Sequence, residues 1–148
     1  MEQLSTNGKY EITADMKEFM KDFCAGYADM EENAKEIRKV FDDTGYLIDT
    51  HTGVAAAVYE QYKAKTGDTT KTVIASTASP YKFSRSVMEA VLGKKKDADE
   101  FALIDEMERI SGVKIPQAIE EIRDAKILHN RQCKPEEMEE TVKQTFSK

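Results

Sequence analysis

Residues 73–83 read Val-Ile-Ala-Ser-Thr-Ala-Ser-Pro-Tyr-Lys-Phe, and this stretch decides which fold the sequence predicts. An apolar run leads directly into a series of hydroxyl side chains. Ser79 and Pro80 then supply an N-cap and a proline at the first helical position, which together are typical of a helix start. We therefore predict a short buried strand over residues 73–75 and a helix that begins at Pro80.

The N-terminal part of the chain, residues 1–45, is predicted to form a turn followed by a helical hairpin over residues 14–44. Asn7-Gly8 is the strongest local signal for a β-hairpin turn. Asp29 and Glu32 have the spacing of a capping box for the second helix. The apolar residues of the first helix recur at the helical spacing i, i+3, i+4, i+7, namely Met16, Phe19, Met20 and Phe23.

The rest of the chain, residues 46–148, is predicted to be mostly helical with few strands. A single strand cannot satisfy its own backbone donors and acceptors, and even an isolated hairpin is marginally stable. Residues 46–48, Tyr-Leu-Ile, are the main candidate for a neighbouring strand. The sequence thus resembles a piece of a larger α/β protein, and we expect the other strands of its sheet to lie outside this chain.

Composition excludes several classes of function. The formal charge of −6 argues against nucleic acid as the main partner, because binding phosphates requires a basic face. No apolar run approaches the roughly 20 residues that span a bilayer, so no membrane partner is expected. Cys24 and Cys133 are too few for a disulfide framework, and no cluster of ligand residues has metal spacing. We expect a cytoplasmic protein without a metal.

The hydroxyl residues after the predicted strand are the candidate binding residues. In open parallel sheets, ligands bind at the carboxyl ends of strands. Ser76, Thr77 and Ser79 occupy that position beside a helix N-terminus, which can bind a phosphate group. The alternative is that Ser79 only caps the helix while Ser76 and Thr77 fix the turn.

Two sequence blocks resemble the pyridoxal-phosphate-dependent threonine synthases. Residues 77–83, TASPYKF, are similar to the family's C-terminal signature TA-(His or Ser)-Pro-x-Lys-Phe. Residues 45–55, GYLIDTHTGVA, resemble the family's GYxxDPHTAVA, with Thr50 in place of the usual proline. The blocks occur in the family's order and at a similar separation. The resemblance is strongest over residues 45–92 and weak beyond Gly93.

The resemblance implies a fold, a reaction and a cofactor. The fold is the tryptophan-synthase-β-like fold, or fold type II, and residues 46–148 would form the C-terminal part of its cofactor-binding domain. The reaction converts O-phosphohomoserine and water to threonine and phosphate with pyridoxal 5'-phosphate. By position, Thr77 would contact the pyridine nitrogen of the cofactor, and Ser76 is a second candidate for the same wall. No catalytic residue is assigned in this chain, and Lys82 receives no catalytic role.

The departures from the family predict a C-terminal fragment that is inactive alone. No Lys-Asn pair, the family's mark of the Schiff-base lysine, occurs in the sequence, and its glycines are isolated rather than grouped in a phosphate-binding loop. We therefore expect the chain alone not to bind the cofactor specifically, to need the remainder of the parent enzyme as its partner, and to self-associate. The alternative is a free-standing acidic helical module that binds or regulates without catalysis.

His51 is a further titratable residue of the second block. Histidine titrates near neutral pH, so this side chain could act as a general base. Its position in Asp-Thr-His-Thr-Gly at a predicted helix start favours capping and packing instead.

Overall fold

The computed structural model describes residues 2–147, and the regular structure of these residues is helical. The chain divides into two compact units, of which the first ends at Lys114 and the second begins at Ile115. The helices are α1 Glu2–Asn7, α2 Ala14–Phe19, α3 Met30–Thr44, α4 Thr50–Thr66, α5 Ser84–Leu92 and α6 Glu100–Ser111, then α7 Gln117–Arg123 and α8 Met138–Phe146. Short 3₁₀ turns, Pro80–Phe83 and Pro135–Glu137, precede α5 and α8. The mostly helical character predicted from the sequence is confirmed.

The strand predicted at residues 73–75 is wrong for this chain. These residues lie outside any helix or strand, and Val73 is 94% exposed rather than buried. The proposed neighbour at residues 46–48 is not a strand either, since these residues have no regular structure, and Leu47 and Ile48 are buried in the helical core. Without a partner among residues 2–147, the backbone of Val73 has no ladder to join, and a strand cannot form alone.

The β-hairpin signal at Asn7-Gly8 is also wrong. Residues Glu2–Asn7 form α1, and the Gly8 N–H donates to the Leu4 carbonyl at 3.0 Å. Gly8 has a φ of 69°, a left-handed conformation that serves a helix end as readily as a hairpin turn. The local signal therefore predicted the backbone angle but not the element that uses it.

The predicted helical hairpin over residues 14–44 is present only as two separate helices. The capping box of α3 is confirmed, since Asp29 accepts the Glu32 N–H at 2.9 Å and Glu32 accepts the Asp29 N–H at 2.9 Å. The apolar stripe of α2 was expected to pack, but Phe19 and Phe23 are exposed. The packing partner that the stripe requires is not found among residues 2–147.

The core of the first unit lies where α3, α4, α5 and α6 meet. Helix α3 packs on α4 and on α5, and α5 also packs on α6. The largest fully buried apolar side chains are Ile37, Val87, Met88, Leu103 and Met107. Gly53 permits the close approach of α3 and α4, because a Cβ there would collide with Asn33 Oδ1 and Ile37 Cγ1.

Tyr81 fixes the turn Pro80–Phe83 against the end of α6. Its ring is buried, and its hydroxyl donates to the Val113 carbonyl at 2.5 Å. Burial raises the pKa of the Tyr81 hydroxyl, which therefore stays protonated as a donor at neutral pH. The block over residues 77–83 is thus anchored to the core through Tyr81.

The side chains of the second unit are more exposed than those of the first. Helices α7 and α8 contain no buried residue. Within the unit, Arg131 donates to the Thr145 hydroxyl at 2.9 Å, and the Lys134 N–H donates to Glu137 at 3.0 Å. None of the helices in residues 2–147 has the length and apolar composition needed to cross a membrane.

Candidate functional site

The site is built on the first turn of α4. Asp49 is the N-cap of this helix, with an extended backbone, and its carboxylate accepts the N–H groups of His51 at 2.8 Å and Thr52 at 3.4 Å. An aspartate at this position satisfies donors that the helix cannot pair itself. The Asp49 side chain is 0% exposed, so the carboxylate is a buried charge held by the helix start.

Thr52 joins the helix start to the segment that follows Ala75. The Thr52 hydroxyl donates to Asp49 Oδ2, and Ser76 Oγ lies 3.0 Å from Thr52 Oγ1. A threonine hydroxyl has a single proton. Because Thr52 gives that proton to Asp49, the Ser76 hydroxyl is the donor in the second hydrogen bond. The chain of donors therefore runs from Ser76 through Thr52 to Asp49.

His51 connects the block over residues 45–55 with the block over residues 77–83. Its Nδ1 lies 3.2 Å from Asp49 Oδ1, and its ring centroid lies 5.0 Å from that of Phe83 at an interplanar angle of 57°. Offset and tilted ring pairs at this distance are favourable. We call Asp49, His51, Thr52 and Ser76 the Asp49 cluster. It joins the block over residues 45–55 to Ser76, which directly precedes the block over residues 77–83.

The Asp49 carboxylate is ionised at neutral pH. Burial by itself raises the pKa of this carboxyl group. The hydrogen bonds from the Thr52 hydroxyl and from the N–H groups of His51 and Thr52 outweigh burial, and they lower the pKa below its ordinary value. The cluster therefore contains a fixed negative charge that can only accept hydrogen bonds.

The hydroxyl residues predicted from the sequence are not equivalent in the structure. Ser79 accepts the Tyr81 N–H at 3.3 Å, so its capping role is confirmed. Ser76 is committed to Thr52, whereas the exposed Thr77 side chain makes no hydrogen bond within residues 2–147. Lys82 is exposed, with Nζ 5.8 Å from the ring centroid of Phe83. The structure thus brings Ser76 into the Asp49 cluster and leaves Thr77 beside it with an uncommitted hydroxyl.

Sequence reasoning missed the roles of Asp49 and Thr52. Both belong to the block over residues 45–55, where we considered only capping. The sequence Asp-Thr-His-Thr-Gly does supply N-cap candidates, because a cap is a local pattern. The hydrogen bond between Thr52 and Ser76 joins residues 24 positions apart, and no local pattern predicts it.

A comparison with known protein families gives a match that begins within this site, at Thr52, and so includes Thr52 and Ser76 but not Asp49 or His51. The sequence model of the family described as "Threonine synthase, C-terminal" matches residues 52–144, which is more than half of the chain. The matched range contains Thr52, Ser76, Thr77 and Phe83. The chain belongs to the threonine synthase C-terminal family.

Proposed function

We propose that this chain is the C-terminal portion of a threonine synthase that converts O-phosphohomoserine and water to threonine and phosphate. The match to the family over residues 52–144 is the observation that supports it. In this proposal the fold of the whole protein is fold type II, in the cytoplasm. Residues 46–148 form the C-terminal part of the cofactor-binding domain, and residues 1–45 precede it. The remainder of the enzyme supplies the Schiff-base lysine and the phosphate-binding loop.

The side chains at the site fit one edge of a pyridoxal 5'-phosphate molecule. The pyridine nitrogen of this cofactor accepts a hydrogen bond when it is unprotonated, and Thr77 offers a neutral, exposed hydroxyl without another partner in residues 2–147. A carboxylate would instead hold the ring protonated, and the buried Asp49 carboxylate, which is joined to this segment through Thr52 and Ser76, is occupied by its own cap donors. When bound, the cofactor would supply an electron sink for the substrate's carbon chain.

Ser76 has a different role in the proposed cofactor site. Its hydroxyl donates to Thr52, so the backbone at residue 76 is tied to the start of α4. The next residue, Thr77, is therefore placed by a fixed neighbour, although its own hydroxyl is free. We propose that the Thr77 hydroxyl binds the cofactor. Ser76 also lies against the cofactor, and its hydrogen bond to Thr52 holds this segment in position.

Replacing Thr77 with valine in the whole enzyme is expected to lower turnover about 5- to 150-fold. Losing a hydrogen bond to a partly buried acceptor costs about 1–3 kcal/mol, and each 1.36 kcal/mol is tenfold in rate. Thr77→Ser, which keeps the hydroxyl, should retain most of the activity, and Thr69→Val in the exposed loop is the matched control. The measurement is phosphate release from O-phosphohomoserine together with the absorption spectrum of the bound cofactor.

The wild-type arm of this assay tests the function itself. A whole enzyme that binds the cofactor but releases no phosphate and forms no threonine would overturn the assignment. A Thr77→Val enzyme with the wild-type rate and spectrum would remove only Thr77 from the site. Activity in the 148-residue chain by itself would refute the proposal that the remainder of the enzyme is required.

The exposed segment over residues 73–75 supports a proposal about partners. Val73 is 94% exposed and Ile74 is also exposed, in a segment without regular structure, although both are typical strand residues. An extended apolar segment with unpaired backbone groups recruits other strands. We propose that it pairs with the sheet in the remainder of the enzyme and that the chain alone self-associates through it.

A positive charge at position 73 should weaken the self-association of the isolated chain. In sedimentation experiments the isolated chain is expected to show a mass that rises with concentration, and Val73→Lys should shift it towards the monomer. Val142→Lys on α8, which also replaces an exposed valine, should leave the association unchanged. A wild-type chain that stays monomeric at high concentration, or an equal effect of the two lysines, would contradict the proposed interface.

A further inference from the structure

A cavity of about 470 Å³ lies between α3, the first turn of α4 and α5. We propose that it binds a free α-amino acid with an apolar side chain. Its volume is within the range of about 300–1,000 Å³ that is typical of small-molecule sites. Ser76 and Thr77, the residues of the proposed cofactor site, are not among the described residues that line it. The inference therefore goes beyond the function proposed above and does not depend on it.

The polar side chains around this cavity are not used by the rest of the chain. They are those of Asn33, Thr50, Ser86, Glu89, Lys94 and Lys95. Within residues 2–147, none of these side chains makes a hydrogen bond or an ion pair with another residue. The next residue along the chain, Lys96, is by contrast paired with Glu106. A few converging polar groups without partners, set in a cavity, are typical of a binding site.

Most of these polar groups donate hydrogen bonds. Lys94 and Lys95 directly follow Gly93, where α5 ends, and each ammonium group carries three donors and a positive charge. The hydroxyls of Thr50 and Ser86 can donate as well. Charge-assisted hydrogen bonds of this kind favour a carboxylate, which accepts several of them at once.

Asn33 provides a further donor. Its Oδ1 is the buried side-chain polar atom that has no hydrogen-bond partner in the described part of the chain. A Cβ at position 53 would collide with this oxygen, so the oxygen is packed against Gly53 of α4. The Nδ2 amide is therefore the polar group that Asn33 can offer to a ligand in the cavity.

Glu89 adds the opposite charge. Its side chain is half-buried on α5, and none of the described lysines and arginines forms an ion pair with it. A ligand with only a carboxylate would leave Glu89 unpaired, and a phosphate ester, with up to two negative charges, would be repelled by it. A ligand with an ammonium group next to its carboxylate provides a partner for Glu89 and for the lysines. An α-amino acid carries this pair of groups.

The remaining wall of the cavity is apolar. Ala34 and Ile37 of α3 and Ala90 of α5 line it. Met30 also lines it and is 90% exposed, so it has apolar surface that a ligand can cover. Affinity increases with the apolar area that is removed from water. The wall therefore favours amino acids with an apolar side chain, and L-leucine is a suitable probe.

The test is a titration of the ¹⁵N-labelled 148-residue chain with L-leucine, followed by NMR. The amide signals of Asn33, Glu89 and Lys94 should shift and saturate, and those of α8 should not. Two analogues each lack one charged group: 4-methylpentanoate has no ammonium group, and 3-methylbutylamine has no carboxylate. Each should bind about tenfold more weakly or worse, because a hydrogen bond to a charged group contributes at least that much.

Substitutions should separate the two ends of the ligand. Glu89→Gln should weaken the binding of L-leucine but not that of 4-methylpentanoate, because it removes only the partner of the ammonium group. Replacing Lys94 and Lys95 together with glutamine should weaken the binding of both compounds by about 2- to 30-fold, as for two exposed ion pairs. Lys71→Gln, which changes an exposed lysine outside the cavity, is the matched control and should change neither.

Three results would overturn the proposal. The first is the absence of saturable shifts at about 10 mM L-leucine, where a ligand with a dissociation constant of about 1 mM is mostly bound. The second is equal binding of L-leucine and 4-methylpentanoate, which would indicate a site for anions. The third is a set of saturable shifts that excludes the residues of the cavity. Each of these results leaves the threonine synthase assignment to the enzyme assay described above.

Discussion

Replacing Asp49 with alanine is expected to lower the free energy of unfolding of the chain by about 2–4 kcal/mol. The loss of an N-cap side chain costs about 0.5–2 kcal/mol. The substitution also breaks the buried hydrogen bond from the Thr52 hydroxyl to Asp49 and leaves Thr52 with Ser76 as its partner, and removing one partner of a buried hydrogen bond costs about 1–3 kcal/mol more. Urea unfolding at neutral pH, followed by circular dichroism, measures the change.

Asp99→Ala is the matched control for this substitution. Asp99 is the N-cap of α6, but it is exposed and accepts only the Phe101 N–H, at 2.8 Å. Its loss should therefore cost about 1 kcal/mol, as for an ordinary cap. Asp49→Asn, which keeps a capping oxygen but not the second acceptor for Thr52, should fall between the two. Equal losses for Asp49→Ala and Asp99→Ala would show that burial of the Asp49 cluster adds nothing.

The contribution of Asp49 should depend on pH with a definite sign. Because its pKa in the folded chain lies below the ordinary value, the folded state favours the ionised form. The resulting stability is present above the unfolded pKa of about 3.9 and is lost as the pH falls through the lower folded pKa. The difference in stability between wild type and Asp49→Ala should accordingly narrow in acid. A difference in stability that stayed constant or widened below this pH would contradict the conclusion that the Asp49 carboxylate is ionised in the folded chain.

Helix ends were the part of the fold that the sequence could predict. The capping box at Asp29 is present as expected, and α3 and α4 end at Gly45 and Gly67, both of which have positive φ. These features depend on residues within one turn of each other, so the sequence contains all that is needed to identify them. The N-cap at Ser79 followed by Pro80 was predictable for the same reason.

The strand at residues 73–75 and the site contacts could not be predicted in this way. A strand depends on a partner that is distant in sequence, and here no partner occurs within residues 2–147. The Thr52–Ser76 hydrogen bond likewise depends on how α4 and the turn before α5 pack together. The resemblance to a family identified both blocks as important, but the contacts between them required the structure.

The sequence also does not show whether the apolar face of a helix is covered by another element. Two methionines test this point. Met16 belongs to the apolar pattern that we expected to pack, and Met88 is a methionine of α5 to which it can be compared. Met88 is 0% exposed, between the helices that α5 contacts, whereas Met16 is 52% exposed. The periodicity indicates which face of a helix is apolar, but not whether another element covers that face.

Met88→Ala should therefore destabilise the chain by about 2–5 kcal/mol, the usual cost of a cavity where a large buried side chain is removed. Met16→Ala should change stability by no more than about 0.5 kcal/mol, because the exposed side chain loses few contacts and alanine favours a helix. Both variants can be compared by urea unfolding under the same conditions. If Met16→Ala cost as much as Met88→Ala, α2 would be packed in solution, and the helical hairpin predicted from the sequence would be the better description of residues 14–44.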